Sequence, residues 1–317
     1  MIDFVGHKRW FFLISWILVI IGIASLIISQ IQLGTPLRLG TDFAGGTSMT
    51  LQFSPIDSHE VSWRDFQSQL RDKMAKLGYG EATIQNAGEG SFIIHTQEIT
   101  SDEANELAEQ LGAELDSQVE ITDYYSASPT VGAETARNAG IGVIIAAVAM
   151  LFYIVWAFRR MPSPFRWGTC AVIALLHDVF IIVGIFSILG WLAGVEIDAL
   201  FITGLLAVVG YSINNTVVIF DRIRENVSRH ISPDFAVTVN SSIVETLGRS
   251  LNTSLTTLFV ILALFLFGGA TIHYFVLVLL LGIIIGTYSS ICISSQLLVV
   301  WEKREWRALL SFAKRTT

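Results

Sequence analysis

The sequence predicts an α-helical membrane protein with six transmembrane helices and an α+β ferredoxin-like domain between helices 1 and 2. Three observations predict this fold. Six apolar runs are long enough to cross a bilayer, only 15% of the 317 residues are charged, and one hydrophilic block interrupts the runs. A soluble domain with so few charges could not cover its surface, whereas about 20 apolar residues span ~30 Å of hydrocarbon as a helix.

Six spans and four regions follow from these runs. We predict the spans at 10–30, 137–158, 167–191, 198–220, 249–268 and 274–300. The first run is longer than a signal-peptide core and no small-residue cleavage site follows it, so we interpret it as an uncleaved anchor. The predicted regions are the N-terminus with the first helix (1–30), an extracytoplasmic domain (31–136), a bundle of helices 2 to 6 (137–300) and a tail (301–317).

Lys and Arg predict the orientation. They cluster before the first span, between spans two and three, between spans four and five, and after span six. The short loops on the opposite side, near 192–197 and 268–273, contain none. The positive-inside rule therefore places both termini in the cytoplasm. We expect a multi-pass protein of the bacterial plasma (inner) membrane, with an internal, thylakoid-type membrane as the alternative.

The hydrophilic block is strongly acidic. Residues 31–137 contain 17 Asp and Glu against six Lys and Arg, a net charge of −11. Such a surface disfavours nucleic acid and anionic lipid head groups as ligands. The two cysteines, Cys170 and Cys292, lie in apolar runs and predict neither a disulfide framework nor a zinc site.

The block has the order β-α-β-β-α-β. The predicted elements are a strand at 47–53, a helix at 58–80, two short strands within 81–97, a helix at 100–115 capped by Thr100 or Ser101 with Glu103 nearby, and a strand at 117–125. This order is that of a ferredoxin-like split βαβ unit. The topology hosts many functions, so it names none by itself.

Polar side chains inside the spans are the candidate functional residues, because charges and amides in a bilayer are costly and tend to be functional. Asp178 lies near the midplane of span three beside His177. The other candidates are Asn214, Asn215 and Asp221 on span four, and Arg249, Asn252 and Thr256 on span five.

Each candidate also has a structural interpretation. Asp178 could be a structural link, and His177, which should point to another face, either a satisfied interior residue or a proton relay. Asn214 and Asn215 could join helices, Asp221 could belong to a solvated helix end, and the hydroxyls of span five could bond back to their own helix. In span six, Gly282, Gly286, Ser290 and Ser294 form a small-residue seam for close helix packing.

Five segments in order carry a family resemblance: DFAGGT (42–47), SPTVGAE (128–134), ALLHDV (174–179), GYSINNTVVIFDRIREN (210–226) and RSLNTSLTTL with FLFGG (249–269). With them the chain resembles the SecF-type members of the SecD/SecF family of protein-export membrane proteins, and the wider resistance-nodulation-division superfamily. The resemblance implies an accessory subunit of the Sec translocase. Such a subunit acts with SecD on a preprotein leaving the SecYEG channel, uses the transmembrane ion gradient and carries out no covalent chemistry.

The resemblance also implies site residues. Asp42, Gly45, Gly46, Gly210, Gly268 and Gly269 are family-motif residues with a structural role. In many members the second amide of the span-four motif is an aspartate that is a candidate for the titrating group, whereas this chain has Asn215. An amide does not titrate near neutral pH. We therefore expect ion carriage to rest on the aspartate of SecD, with Asn215 as its hydrogen-bond neighbour and Arg249 as its ion-pair partner. Asp178 and Asp221 are the reserve candidates in this chain.

The resemblance implies no cofactor, with H⁺ as the coupling ion and Na⁺ as the alternative. The expected partners are SecD, SecYEG, unfolded preprotein and membrane lipid. Two other functions remain open: a non-conducting scaffold for SecD and the channel, which Asn215 favours, and half of a small-molecule exporter, which the chain length disfavours. An enzyme is not expected, since no Ser-His-Asp set, metal cluster or phosphate loop is visible.

Overall fold

The computed structural model describes residues 3–54, 63–88 and 90–305. In chain order its elements are α1 (Lys8–Leu33), α2 (Thr41–Ala44), β1 (Gly46–Ser54), α3 (Trp63–Lys76), β2 (Thr83–Gly88), β3 (Ser91–Thr96), α4 (Ser101–Leu115), β4 (Gln118–Ala127), α5 (Pro129–Ala157), α6 (Pro164–Ala193), α7 (Ala199–Ser228), α8 (Phe235–Phe267), α9 (Ala270–Ser289) and α10 (Ser295–Glu302). A π-helical segment, Ser290–Ser294, joins α9 to α10 without a break.

Six helices are long and apolar enough to cross a membrane, which confirms the predicted fold class: α1, α5, α6, α7, α8 and the continuous α9–α10 helix. Two of them start eight or more residues before the predicted spans. Helix α5 begins at Pro129, and α8 begins at Phe235, where the Asp234 carboxylate caps it by accepting the Ala236 N–H. The first four turns of α8 mix apolar residues with Thr, Asn, Ser and Glu, so hydropathy alone does not reveal them.

Helices α6, α7 and α9 form the centre of the bundle, and α1, α5 and α8 lie at its periphery. The seam predicted on span six packs against α7. A Cβ on Gly282 would clash with Val208, and one on Gly286 would lie 3.1 Å from the Ser212 Cβ. Glycine at these positions therefore lets α7 and α9 approach closely.

The domain between α1 and α5 is a four-stranded antiparallel sheet of order β2-β3-β1-β4, the ferredoxin-like arrangement. Met49, Leu51 and Phe53 on β1 are buried on the face covered by α3 and α4, as the alternating pattern predicts. The predicted capping box is present, with Thr100 as the N-cap and Glu103 as its partner. The start of the predicted helix at 58–80 lies outside the described residues.

The opposite face of this sheet is turned toward one end of the bundle, here called the sheet end. The segment 38–40, which precedes the sheet, is joined to the bundle by backbone hydrogen bonds with the segment 195–197. Gly40 N–H donates to the Ile197 carbonyl at 2.8 Å, and Ile197 N–H donates to the Arg38 carbonyl at 2.9 Å. At the other end, here called the terminal end, ion pairs of Lys8 with Glu305 and of Arg166 with Glu302 join the first and last helices to their neighbours.

Candidate ion pathway and partner face

Asp178 lies at the centre of the bundle, about 21 Å from the start of α6 at 1.5 Å per residue. Its carboxylate is 1% exposed. The Oδ2 atom accepts hydrogen bonds from Ser212 Oγ at 2.6 Å and Ser289 Oγ at 2.7 Å. A buried carboxylate is tolerated when hydrogen bonds replace its water. Asp178 therefore links α6 to α7 and α9, which is the structural role that the sequence analysis gave as one interpretation of this residue.

The prediction that His177 points to another face than Asp178 is wrong. The His177 Nδ1 atom lies 3.0 Å from Asp178 Oδ1. The contact is possible because a side chain near the helix surface can turn back to its neighbour. The buried Nε2 atom of His177 has no hydrogen-bond partner within the described part of the chain.

Asn215 lies inside the bundle and not on its surface. Its Nδ2 atom is 3.5 Å from both Ser254 Oγ on α8 and Thr287 Oγ1 on α9, the limit of a weak hydrogen bond. Ser254 itself accepts from Tyr211 Oη at 3.0 Å and bonds with Thr287 at 2.7 Å. The amide thus stands at the junction of α7, α8 and α9, where it links helices.

Hydroxyl groups extend this buried polar layer toward the π-helical segment. Thr216 Oγ1 lies 3.0 Å from Ser290 Oγ, and Ser290 Oγ donates to the Gly286 carbonyl at 2.7 Å. A π-helical turn inserts one extra residue and is frequent at functional sites. The π-helical segment of this chain begins at Ser290, directly after Ser289, whose hydroxyl donates to Asp178.

Asn214 and Asp221 are exposed, in contrast to Asn215. They lie seven residues apart on α7, with Ala207 and Gly210 on the same stripe and also exposed. A Cβ on Gly210 would meet no described atom within 4 Å. One side of α7 is therefore uncovered along much of its length.

Helix α8 has a polar stripe beside this uncovered side. Glu245, Arg249, Asn252 and Thr256 follow one another at spacings of four, three and four, and all are exposed. Glu245 Oε2 pairs with Arg222 Nε on α7 at 2.5 Å, so the stripe adjoins α7. We call Asn214, Asp221, Arg249, Asn252 and Thr256 the lateral face.

Two residues of the lateral face differ in their partners. Asp221 pairs with Arg224 Nη2 at 2.5 Å within an exposed ion-pair network at the terminal end of α7, as expected for a solvated helix end. The Arg249 side chain has no ion pair with any residue among 3–54, 63–88 and 90–305. Thr256 bonds back to the Asn252 carbonyl at 3.0 Å. Arg249 is thus the uncompensated charge of this face.

The motif at 42–46 forms a tight joint at the sheet end. Asp42 Oδ2 accepts the N–H of Ala199, the first residue of α7, at 2.9 Å. Gly45 has φ +77°, and a Cβ there would lie 2.6 Å from the Pro129 Cα. Gly46 has φ +108° and a Cβ would clash with the Thr96 carbonyl. Only glycine accommodates both the left-handed backbone and this approach.

The later glycine pair ends one helix and begins the next. A Cβ on Gly268 would clash with the Leu264 carbonyl, and the Gly268 N–H donates to that carbonyl at 2.7 Å. Gly269 is the N-cap of α9 in an extended conformation. The pair therefore makes a short turn between α8 and α9.

Some site residues were not predicted from the sequence. Ser212 and Ser289 hold Asp178, and a hydroxyl opposite a mid-span carboxylate is a pattern that could have been searched for. Glu196, in the predicted loop near 192–197, and Asp198, the first residue of the predicted fourth span, carry no motif that marks them as site residues. Burial raises the pKa of the Asp198 carboxyl and the charge of Asp42 raises it further, while the hydrogen bond from Phe201 N–H opposes both.

Comparison with known proteins finds relatives that match nearly the whole chain. The family profile described as "Protein export membrane protein SecD/SecF, C-terminal" matches residues 107–304, and the "SecD/SecF GG Motif" profile matches residues 32–55. The chain is 42% identical over 319 aligned positions to the protein translocase subunit SecF of Thermobaculum terrenum, with 96% of each chain covered.

Two longer relatives contain the same fold. The chain is 33% identical to the protein translocase subunit SecDF of Bacillus subtilis, covering 96% of this chain and 38% of that one. The crystal structure of SecDF, a translocon-associated membrane protein from Thermus thermophilus, matches with a TM-score of 0.81 at 32% identity, covering 96% of this chain and 39% of that one. The chain thus spans about two fifths of these SecDF proteins. It belongs to the SecD/SecF family of protein-export membrane proteins.

Proposed function

We propose that this chain is the SecF-type half of a two-part complex that completes preprotein export at the Sec translocase. Its other half is a SecD subunit. The length relationship supports this: the chain aligns over 96% of its length with two fifths of a SecDF protein. The remaining three fifths of such a protein correspond to a partner that this chain must recruit.

The observation that carries the proposal is the uncovered lateral face. Asn214 is exposed about 22 Å along α7, deep within the ~30 Å hydrocarbon core. Arg249 is exposed about 27 Å from the end of α8, near the far boundary of that core. An amide that faces lipid without a partner and a charge near the boundary of the core both cost free energy, although less than the roughly 2.5–3.5 kcal/mol of a charge at the bilayer centre. A polar face of a second bundle would remove these costs, so we assign this face to SecD.

The same face is where we place the ion pathway. Asn215 does not titrate, and Asp178 accepts hydrogen bonds from two hydroxyls inside the bundle, with His177 Nδ1 3.0 Å from its other oxygen. Ion carriage therefore rests on a carboxylate that SecD contributes opposite Arg249, whose charge favours the ionised form. We take H⁺ as the coupling ion and Na⁺ as the alternative.

Orientation and location complete the proposal. The distribution of Lys and Arg favours cytoplasmic termini and a sheet domain outside the cytoplasm, and we take the membrane to be the plasma membrane. There the sheet domain would meet a preprotein that leaves the SecYEG channel. This arrangement needs no cofactor.

Disulfide crosslinking tests the partner face. Asn252→Cys lies on the lateral face, whereas Ile144→Cys on α5 is an equally exposed position away from it. Coexpressed with SecD that carries cysteines along its matching helices, Asn252→Cys should form a SecD adduct and Ile144→Cys should not. Adducts of equal yield at both positions would contradict the assignment.

Neutralisation tests the ion pathway. Export driven by a proton gradient should survive Asp221→Asn and should be abolished when the corresponding aspartate of SecD is neutralised. The reverse result would place the carrier in this chain. If neither change affects gradient dependence, the chain is a scaffold, the function that Asn215 favours.

A further inference from the structure

His95 lies on the side of the sheet that faces the bundle. Its neighbours on β3, Phe92 and Ile94, are buried in the core under α3 and α4, and side chains alternate along a strand. The His95 Nδ1 atom is 3.2 Å from Thr41 Oγ1 and 3.7 Å from Glu196 Oε2. Thr41 precedes the sheet, and Glu196 lies in the connection between α6 and α7. His95 is therefore the point at which the sheet meets the bundle.

Glu196 pairs with Arg38 through only one of its two carboxylate oxygens. Its Oε1 atom lies 3.4 Å from Arg38 Nε, whereas the buried Oε2 atom has no hydrogen-bond partner among the described residues. A buried carboxylate oxygen without a donor is costly. A neutral imidazole carries one N–H on either of its nitrogens, whereas a protonated imidazole has N–H groups on both and a positive charge. Only protonated His95 therefore offers Oε2 a charge-assisted hydrogen bond, which is the stronger kind.

We propose that His95 and Glu196 form a pH-sensitive latch, which holds the sheet to the connection between α6 and α7 when the imidazole is protonated. Histidine is the side chain that ordinarily changes its charge between pH 5 and 8. The His95 side chain is 22% exposed, so protons reach it from solvent, whereas Glu196 is 10% exposed. The latch goes beyond the proposed function, because it concerns how this chain holds its own sheet domain. Its use in export rests on that function, which places the latch in the compartment that a proton gradient acidifies.

Other titratable groups face His95 from the elements packed around it. Two cavities of about 560 and 220 Å³ have His95 in their walls, together with the guanidinium of Arg38, the phenols of Tyr79, Tyr125 and Tyr274, and the carboxylates of Asp42, Glu81, Asp123, Glu196 and Asp198. Arg38 opposes a second positive charge, and the carboxylates attract one. Burial raises the pKa of Asp198, so this carboxyl also changes its charge as the pH falls. A test of the latch has to separate His95 from Asp198.

The latch predicts a joint that tightens as the pH falls. A histidine that gains an anionic partner on folding contributes stability that is present below the ordinary imidazole pKa of about 6.5 and is lost as the pH rises above it. The N–H groups of Gly40 and Ile197 report on the joint, because they form the backbone hydrogen bonds between segments 38–40 and 195–197. Their exchange with solvent deuterium requires these bonds to open.

Amide hydrogen exchange of the full chain in lipid nanodiscs tests the latch without SecD and without an ion gradient. His95→Asn keeps a polar side chain that does not titrate. It is compared with wild type at the same pH, so that the intrinsic exchange rate and the titration of Asp198 affect both proteins. At about pH 5.5 the two segments should exchange about fivefold or more faster in His95→Asn than in wild type, and at about pH 8 the ratio should fall below about two.

Two further variants make the test specific. In a Glu196→Gln background, the ratio between His95→Asn and its parent should be the same at both pH values, because the anionic partner is absent. His230→Asn is the matched change at the terminal end, where the left-handed backbone of His230 suits Asn, and it should leave exchange at the joint unchanged.

Three results would overturn the latch: a ratio that does not change with pH, a pH-dependent ratio that persists in the Glu196→Gln background, or an equal effect of His230→Asn. Because neither SecD nor a gradient is present, such a result leaves the export proposal to its own tests.

Discussion

Ser212 Oγ on α7 donates a hydrogen bond to Asp178 Oδ2 on α6 at 2.6 Å, near the middle of the bundle. Ser289 Oγ on α9 donates to the same oxygen at 2.7 Å. One buried carboxylate therefore holds the three central helices together. This arrangement makes Asp178 a structural residue, whereas the lateral face is the surface on which we propose that SecD and the ion act.

Replacing Asp178 tests this role. Asp178→Ala removes the oxygen to which both hydroxyls donate, so both donors lose their acceptor. We expect the free energy of unfolding in detergent micelles to fall by about 2–3 kcal/mol. The matched change Asp221→Ala removes an exposed ion pair and should cost less than about 0.5 kcal/mol. A similar cost for the two variants would show that Asp178 does not hold the helices.

Two glycines with nearly equal φ angles differ in ψ and in their surroundings. Gly34 has φ +76° and ψ −5° with open space around it, whereas Gly45 has φ +77° and ψ −177° and lies against Pro129. Gly34→Ala should cost about 1–2 kcal/mol of unfolding free energy from the left-handed backbone alone. Gly45→Ala should cost about 1–3 kcal/mol more, because its backbone conformation is one that essentially only glycine adopts and because its Cβ would clash with Pro129. Equal Tm values for the two variants would rule out the tight joint.

Asp42 should act as the anchor of α7. In Asp42→Ala the Ala199 N–H loses its acceptor, and we expect a cost of about 1–2 kcal/mol. Amide hydrogen exchange should accelerate at residues 199–201 while the sheet stays protected. Asp72→Ala, an exposed change on α3, is the control. Unchanged exchange at the start of α7 in Asp42→Ala would contradict the anchor.

Asp198 predicts an unusual pH dependence at the joint. Burial first, and then the charge of Asp42, raise the folded-state pKa of this carboxyl above its ordinary value of 3.8. Its contribution to stability is therefore fully present below that value and is lost as pH rises through the folded pKa. Asp198→Asn keeps an acceptor for Phe201 N–H but cannot ionise.

The Tm difference between wild type and Asp198→Asn checks this prediction. Wild type should lose Tm relative to the variant as the pH is raised from about 4 toward 7. A difference that stays constant over this range, or that changes in the opposite direction, would show that the Asp198 carboxylate is not destabilised by its surroundings.

Sequence pattern predicted the elements that have a strong period. The apolar runs predicted six spans, and the alternation in 47–53 predicted the buried face of β1. Thr100 and Glu103 predicted a capping box that is present. These features depend on local sequence, which is why they could be read from it.

The neighbouring amides show what pattern alone could not predict. Asn214 and Asn215 are adjacent in sequence but 100° apart around α7, so one is exposed and the other is 3% exposed inside the bundle. Which face is covered depends on where α8 and α9 pack. The start of α8, which mixes polar and apolar residues, was not predicted for a related reason, since it packs against α7 and α10 and need not be apolar throughout.

The most direct test of the partner face is gradient-dependent export in inverted vesicles that contain this chain, its own SecD and the channel. ATP is withdrawn midway, and completion of preprotein export is followed with and without an uncoupler. We predict that wild type and the control Arg160→Ala finish only with a proton gradient, whereas Arg249→Ala stalls although the complex assembles. Completion by Arg249→Ala at the wild-type rate, with the gradient still required, would contradict the account and leave this chain as a scaffold.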